Sequence, residues 1–294
     1  MTNEWFFLRG ALADGPWESV VGDGLPGWRH AGLRVAALDG AVALPGGAVE
    51  RMVVPLEGNV EVVAGDERWT LRGRRSVFDG PADVLSLGPG AAIELRGTGR
   101  VAVAEAAASR PRPAAVLRAG DVPVEIRGAG RSTRQVHNFG TPGALPAEKL
   151  IVCEVITPAE NWSSYPAHRH DRTTTTESDL EEVYYFETAV ARGSVAPPEA
   201  RPFGLFATSA SDDRPIETDA RVTTGDVALV PHGYHGPAVA APGYDLYYLN
   251  VMAGPAAERA WRITDDPAHG WIRGTWEGQR PDPRLPYLPE DVRA

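Results

Sequence analysis

The chain has 294 residues, of which 43% are hydrophobic, with 29 Lys and Arg against 39 Asp and Glu for a net charge of -10. That is enough apolar sequence for a substantial core and excludes a disordered chain, while the acidic balance offers no general attraction to phosphate backbones or anionic lipid. Cys153 is the only cysteine, which excludes an intrachain disulfide and a cysteine metal cluster.

Met1 to Gly10 has no basic stretch leading into a long apolar run, and no later run approaches a membrane span. A soluble cytoplasmic protein is expected, with neither nucleic acid nor membrane as partner. Short apolar runs follow, among them Val60-Val63, Val84-Leu87 and Val101-Ala104, punctuated by 32 Gly and 26 Pro. This spacing predicts an all-β chain with tight turns. Ala106 to Pro113 closes one such run, and its two prolines favour an extended connection, so a domain boundary is placed at 110/111.

The two sides of that boundary share a pattern. Asp83-Val84-Leu85-Ser86-Leu87-Gly88-Pro89-Gly90 in the first and Gly225-Asp226-Val227-Ala228-Leu229-Val230-Pro231-His232-Gly233 in the second are each a turn, an apolar strand and a Pro/Gly turn. A duplicated β-barrel is the expectation. Between His30 and His137 there is no histidine, whereas four of the seven fall between His168 and His235. The first unit, 1–110, is therefore expected to lack histidine ligands, and the second, 111–294, to hold any metal.

His168 and His170 stand two apart, a spacing that puts both on one face of a strand. In Glu182-Val183-Tyr184-Tyr185-Phe186 the alternation places Glu182, Tyr184 and Phe186 together and Glu181 opposite. Glu182 is thus preferred as a ligand, with Glu181 or Glu177 as alternatives if the segment bulges. His235 follows a strand-turn signal at the start of a returning strand, whereas His232 sits in the turn, so His235 ranks first. Histidine and carboxylate donors suit a borderline divalent cation. Farther on, Pro255-Arg262 is the best helical candidate in a chain where helix should be minor. Gly128-Ala129-Gly130 lacks the setting of a phosphate loop and reads as a turn. Trp162, Trp261, Trp271 and Trp276 read as packing residues, with a sugar platform kept as an alternative for Trp162, which is close in sequence to the site.

Several stretches together carry a resemblance: Glu154-Val155-Ile156-Thr157-Pro158, Asn161-Trp162-Ser163-Ser164-Tyr165-Pro166-Ala167-His168-Arg169-His170-Asp171, Glu181-Glu182-Val183-Tyr184-Tyr185, Pro231 to Pro237, Tyr247 to Gly254 and His269-Gly270-Trp271-Ile272. They resemble the 5-deoxy-glucuronate isomerase family, and weaker similarity at Val77 to Pro81 and Arg127-Gly128 extends it over most of the chain. The resemblance implies a bicupin, two β-barrel domains, with a divalent metal held by three histidines and a glutamate, here His168, His170, Glu182 and His235. Zinc is expected, with manganese, iron or nickel as alternatives. The segment Asp171 to Leu180 must then loop out of the barrel wall.

The implied reaction, in bacterial inositol breakdown, moves a carbonyl from the terminal carbon of a small sugar acid to its neighbour. It requires a proton to be carried between two carbons and an enediolate to be stabilised. Metal-bound water, Tyr184 and Tyr248 are the candidate groups for that proton. Arg134 and Arg172 are the candidates for gripping the substrate carboxylate in two-point fashion. Two other readings share these residues, an iron-dependent cupin oxygenase and a non-catalytic sugar-binding cupin. A homo-oligomer is expected from the exposed sheet edges such barrels carry.

Overall fold

The computed structural model of the chain describes residues 4–212 and 214–288. Strands make up 46% and helix 6%, so the fold is all-β. The first strands are β1 (Phe6–Phe7), β2 (Ser19–Val21), β3 (Ala31–Leu44), β4 (Val49–Glu57), β5 (Val60–Ala64), β6 (Glu67–Leu71), β7 (Val84–Leu87) and β8 (Ile93–Ala107). Then come β9 (Ala115–Leu117), β10 (Val124–Arg127), β11 (Arg134–Gly140), β12 (Ile151–Thr157), β13 (Trp162–Ser163), β14 (His168–Arg169) and β15 (Glu181–Val190). The last are β16 (Gly204–Ser209), β17 (Thr218–Val222), β18 (Val227–Val230), β19 (Tyr234–Ala240), β20 (Tyr244–Ala253) and β21 (Thr264–Asp265).

They form three sheets. One has eight strands, ordered β2-β3-β8-β4-β7-β9 with the β5-β6 hairpin joined to β8. A second runs β1-β18-β15-β20-β12-β11-β10, and a third β17-β16-β19-β14-β21, with β13 on β19. Central strands are covered on both faces, so they are apolar almost throughout. Along β4 and β15, Met52, Val54, Val183 and Tyr185 join one core between the eight- and seven-stranded sheets. The alternate residues Tyr184 and Phe186 face a second core under the six-stranded sheet, and Val53 faces a third inside the first half.

The two halves repeat one topology. β4 lies between β7 and β8 as β15 lies between β18 and β20, and β3 borders β8 as β12 borders β20. The first strand of each repeat is exchanged: β1 adds to β18 of the second half, and β9 adds to β7 of the first. Each exchanged strand is fastened by an equivalent aspartate. Ala119 donates its backbone N–H to Asp83 Oδ1 and Arg9 donates its own to Asp226 Oδ1, both at 2.8 Å.

A second pair of matching contacts clasps the halves together. The Glu50 carboxylate on β4 accepts from the amides of Glu148, Lys149 and Leu150, just before β12. Reciprocally, Glu181 on β15 accepts from the amides of Arg29, His30 and Ala31, where β3 begins. Charged acceptors satisfying several backbone donors are among the stronger hydrogen bonds available.

Between the halves lies a buried ionic cluster. Arg74 reaches both oxygens of Glu154 on β12 at 2.6 Å, Tyr247 Oη donates to Glu154 Oε2 at 2.7 Å, and His137 Nδ1 lies 2.6 Å from Glu154 Oε1. Burial alone would raise the Glu154 pKa, but the Arg74 guanidinium outweighs it and holds the carboxyl down at about 2.

No helix forms over Pro255-Arg262, which corrects the sequence expectation. The carbonyls a helix would need there are used otherwise: Lys149 Nζ binds those of Pro255 and Ala256. Arg259 extends away to the carbonyls of Gly140, Leu145 and Leu150. Helical geometry among the described residues is confined to short 3-10 turns, the longest at Gly270–Trp276.

Candidate metal centre

His168 on β14 pairs directly with His235 on β19, and this cross-strand contact brings their rings to 4.5 Å between centroids. His170 follows one residue beyond β14, 4.7 Å from the His235 ring. Glu182 enters from β15, with Oε2 at 2.8 Å from His170 Nε2 and 3.1 Å from His235 Nε2. One donor atom each from His170, Glu182 and His235 falls within 4.8 Å of the others. The His168 ring is farther from His170, at 6.3 Å, and completes the wall of the same cavity.

Each imidazole turns its other nitrogen to a backbone carbonyl. His168 Nδ1 faces Pro166 O at 3.3 Å, His170 Nδ1 faces Leu180 O at 3.1 Å, and His235 Nδ1 faces Gly233 O at 3.3 Å. A carbonyl only accepts, so Nδ1 carries a hydrogen and Nε2 is the nitrogen turned to the centre. The loop that carries the Gly233 carbonyl is pinned by Asp171, whose Oδ2 accepts from Ser211 Oγ and from the Gly233 amide.

The donor set fits a divalent cation. Among the described residues the buried His235 Nε2 has no hydrogen-bond partner, although the Glu182 carboxylate is 3.1 Å away; a ring nitrogen and a carboxylate oxygen converge there, the arrangement a shared cation suits. Burial lowers the His168 pKa well below its usual value, with His235 and His170 adding to the effect, so this ring stays neutral and able to ligate. At Glu182 burial would raise the pKa, but His235 and His170 dominate and hold the carboxyl far below the usual carboxylate range.

The cavity beside this centre is about 260 Å³. Tyr184, Tyr248 and Asn250 line it together with Ser164, whose Oγ lies 3.0 Å from Tyr184 Oη and 3.1 Å from Tyr248 Oη. Ser164 is held by a close approach: a Cβ at Gly236, which has φ +96°, would sit 1.8 Å from the Ser164 carbonyl oxygen. Glycine is therefore required beside His235. Burial pushes the Tyr248 hydroxyl up to about 12.

Arg134 lines the far side, 5% exposed, and its Nη1 donates to Ser132 O at 3.0 Å. Among the described residues no carboxylate forms an ion pair with it. Burial, with Arg127 and Arg273 nearby, lowers its pKa to about 10. Trp261 Nε1 is a further buried donor in this wall, with no hydrogen-bond partner among the described residues.

A model of the KduI/IolB family matches residues 8–272. The chain is 38% identical to a 5-deoxy-glucuronate isomerase of Geobacillus thermodenitrificans and 39% identical to one of Geobacillus kaustophilus. Each match covers 84% of this chain and 87% of the relative. The chain belongs to the KduI/IolB family. Among solved structures, an IolB-like protein from Salmonella typhimurium superposes with a TM-score of 0.81 at 32% identity, covering 91% of this chain and 98% of the other. An oxalate decarboxylase from Lactobacillus farciminis, 11% identical with a TM-score of 0.55 over 84% of this chain and 82% of its own, shares the fold. The architecture of this KduI/IolB family member is thus the two-barrel cupin one.

Within this family member the residues singled out from sequence are not all in one place. His168, Glu182, Tyr184, Tyr248 and Arg134 line the cavity, with His170 and His235 packed against Glu182 behind it. Arg172 does not join them: its side chain is 45% exposed and pairs with Asp212. His232 is also outside, bonded to Pro215 O. Sequence reasoning missed Ser164, Asn250, Arg127 and Arg273. Asn250 was within reach, since it shares the face of Tyr248 two residues earlier on β20. Arg273 enters from the turn after β21, and no strand period points to it.

Proposed function

We propose that this chain is a metal-dependent aldose-ketose isomerase that converts 5-deoxy-D-glucuronate to 5-dehydro-2-deoxy-D-gluconate in inositol breakdown. The observation that carries the reading is one cavity with the His168, His170, Glu182, His235 cluster at one end and a buried guanidinium lacking a carboxylate partner at the other. An open-chain sugar acid has the matching ends, a carbonyl and a carboxylate.

In this reading the three histidines and Glu182 hold zinc, with manganese, iron or nickel as alternatives that suit the same donors. When bound, the ion polarises the substrate carbonyl and stabilises charge on the enediolate. Glu182 is committed to the ion and is not the base. Arg134 receives the carboxylate by paired N–H donors. Tyr248 keeps its proton near neutral pH and donates a hydrogen bond toward the oxygen where charge develops. Ser164 joins it to Tyr184, so a proton on any of the three hydroxyls can be passed along. Residues 1–110 and 111–294 are the units of the duplication, the first a metal-free structural partner. The cytoplasm suits the lone thiol, Cys153, which is buried and free.

The test is turnover of 5-deoxy-glucuronate by native, metal-stripped and metal-restored protein, with metal analysis of the native sample. Activity that disappears on stripping and returns with zinc is expected. Absence of bound metal, or turnover indifferent to chelation, rejects the reading. Tyr248→Phe should lower kcat roughly a hundredfold or more with metal content unchanged; undiminished turnover removes that tyrosine from the chemistry.

A further inference from the structure

The wall of the cavity changes chemistry along the seven-stranded sheet, and strand order fixes the sequence of that change. Glu182 and Tyr184 come from β15, Tyr248 and Asn250 from β20, Val155 from β12, Arg134 and Val136 from β11, and Arg127 from β10. Those five strands are consecutive neighbours. With about 4.8 Å between strands, β11 lies about 14 Å from β15 across the sheet. Register also sets Arg134 farther along the strands, level with Thr188 and not with Glu182, and its long side chain covers part of the separation. Next to the hydroxyl-rich strands comes Val155, then Val136, a direct cross-strand partner of Val155. Val155 in turn faces Tyr248 across β12 and β20. Val136 and Arg134 share a face of β11, two residues apart.

The metal end and the tyrosines supply donors and acceptors, and the arginine end supplies donors. Between them the two valines, 1% and 5% exposed, supply neither. A substrate hydroxyl against this pair would give up its water without a replacement partner, whereas a methylene would sit there at no such cost.

A sugar acid with its carbonyl at the metal and its carboxylate at Arg134 places the carbon beside the carboxylate against the valines. In 5-deoxy-glucuronate this is the carbon without a hydroxyl. We propose that Val136 and Val155 are specificity-determining residues that select acids carrying a methylene, in place of a hydroxyl-bearing carbon, next to the carboxylate. The inference rests on the isomerase reading of the site and adds to it the reason a deoxy acid is preferred. An apolar wall rejects an added hydroxyl by about a hundredfold at most, so the pair accounts for a preference of that size.

The test compares competitive inhibition by 2-deoxy-gluconate and gluconate, open-chain acids that differ only in the hydroxyl beside the carboxylate. The native enzyme should bind the deoxy acid ten- to a hundredfold more tightly. Val155→Thr and Val136→Thr, which put a hydroxyl on the wall, should each shrink that ratio about tenfold. Val155→Ala, which opens space without a polar partner, should shrink it less. Metal content and melting temperature of each variant show that the barrel is intact. A native ratio within twofold of unity, or a ratio that neither threonine variant moves, overturns the valine assignment. If the native protein meanwhile turns over 5-deoxy-glucuronate in a metal-dependent way, the isomerase reading survives that result. If it does not turn the substrate over, the isomerase reading fails and takes the valine assignment with it.

Discussion

The two halves place different side chains on the same lattice. Glu182 pairs with Val230, the last residue of β18, and with Met252 on β20. The matching position of the first half, opposite Leu87 at the end of β7 and Glu105 on β8, is Arg51. Its guanidinium bonds Glu105 and the carbonyls of Ala91 and Pro45, all at 2.8 Å. One step further, Tyr184 and Asn250 in the second half correspond to Val53 and Val103, and Tyr248 to Val101. Those valines close a dry core, where the tyrosines and asparagine border a cavity. The first half therefore carries its cation covalently, on Arg51, and satisfies it internally. The second half turns three imidazoles and the Glu182 carboxylate to one point, where among the described residues no arginine or lysine pairs with Glu182, and that arrangement is compatible with a bound divalent cation.

The contrast breaks most sharply at Glu182. Glu182→Gln should lose bound metal and lower turnover by about a thousandfold, equivalent to the several kcal/mol a Lewis acid supplies; metal analysis and a coupled assay would show both. Removing the opposing cation should affect stability instead. Arg51→Ala leaves Glu105 with Arg34 alone and two carbonyls unpaired, at a cost of about 3 kcal/mol in denaturant unfolding, with metal content unaltered.

Acid should act on the seam between the halves. The folded pKa of Glu154, about 2, is below its ordinary value of 4.5, so its contribution is complete above pH 4.5 and is lost as pH falls toward 2. Integrated over that window it is on the order of 3 kcal/mol, and Glu154→Gln should flatten the acid limb of a stability-pH curve. The smallest effects belong to the two clasps. Glu50→Gln and Glu181→Gln should each cost about 1–2 kcal/mol by weakening a charged acceptor of backbone amides. Only the Glu181 change, next to Glu182, should also weaken metal binding, by about tenfold. Equal metal affinity in the two variants would show that the clasps are interchangeable scaffolding.

Much of this was legible because strand alternation is a local rule. The period of two along β15 was sufficient to turn Glu182, Tyr184 and Phe186 one way and Glu181 the other, and Asp83-Val84 matched Asp226-Val227 in sequence as in the sheets. Position across strands was not legible. Arg172 is adjacent in sequence to the histidine pair yet lies outside the cavity, while Arg127 and Arg273 arrive from distant segments. The segment Pro255-Arg262 has helical composition, but Lys149 and Arg259 direct its hydrogen bonding elsewhere, and such tertiary demands override propensity.

The exchanged strands bear on how the chain reaches this state. Phe6 pairs with Ala228, 222 residues farther along the chain, so this edge strand of the seven-stranded sheet is synthesised well before the strand it joins. Contacts of such high order slow folding, and until the second half is made, Phe6 and Phe7 have no sheet to join. Nor can the second half complete its own edge without them. A chain separated at 110/111 would yield two pieces, each exposing the sheet edge that the other normally covers.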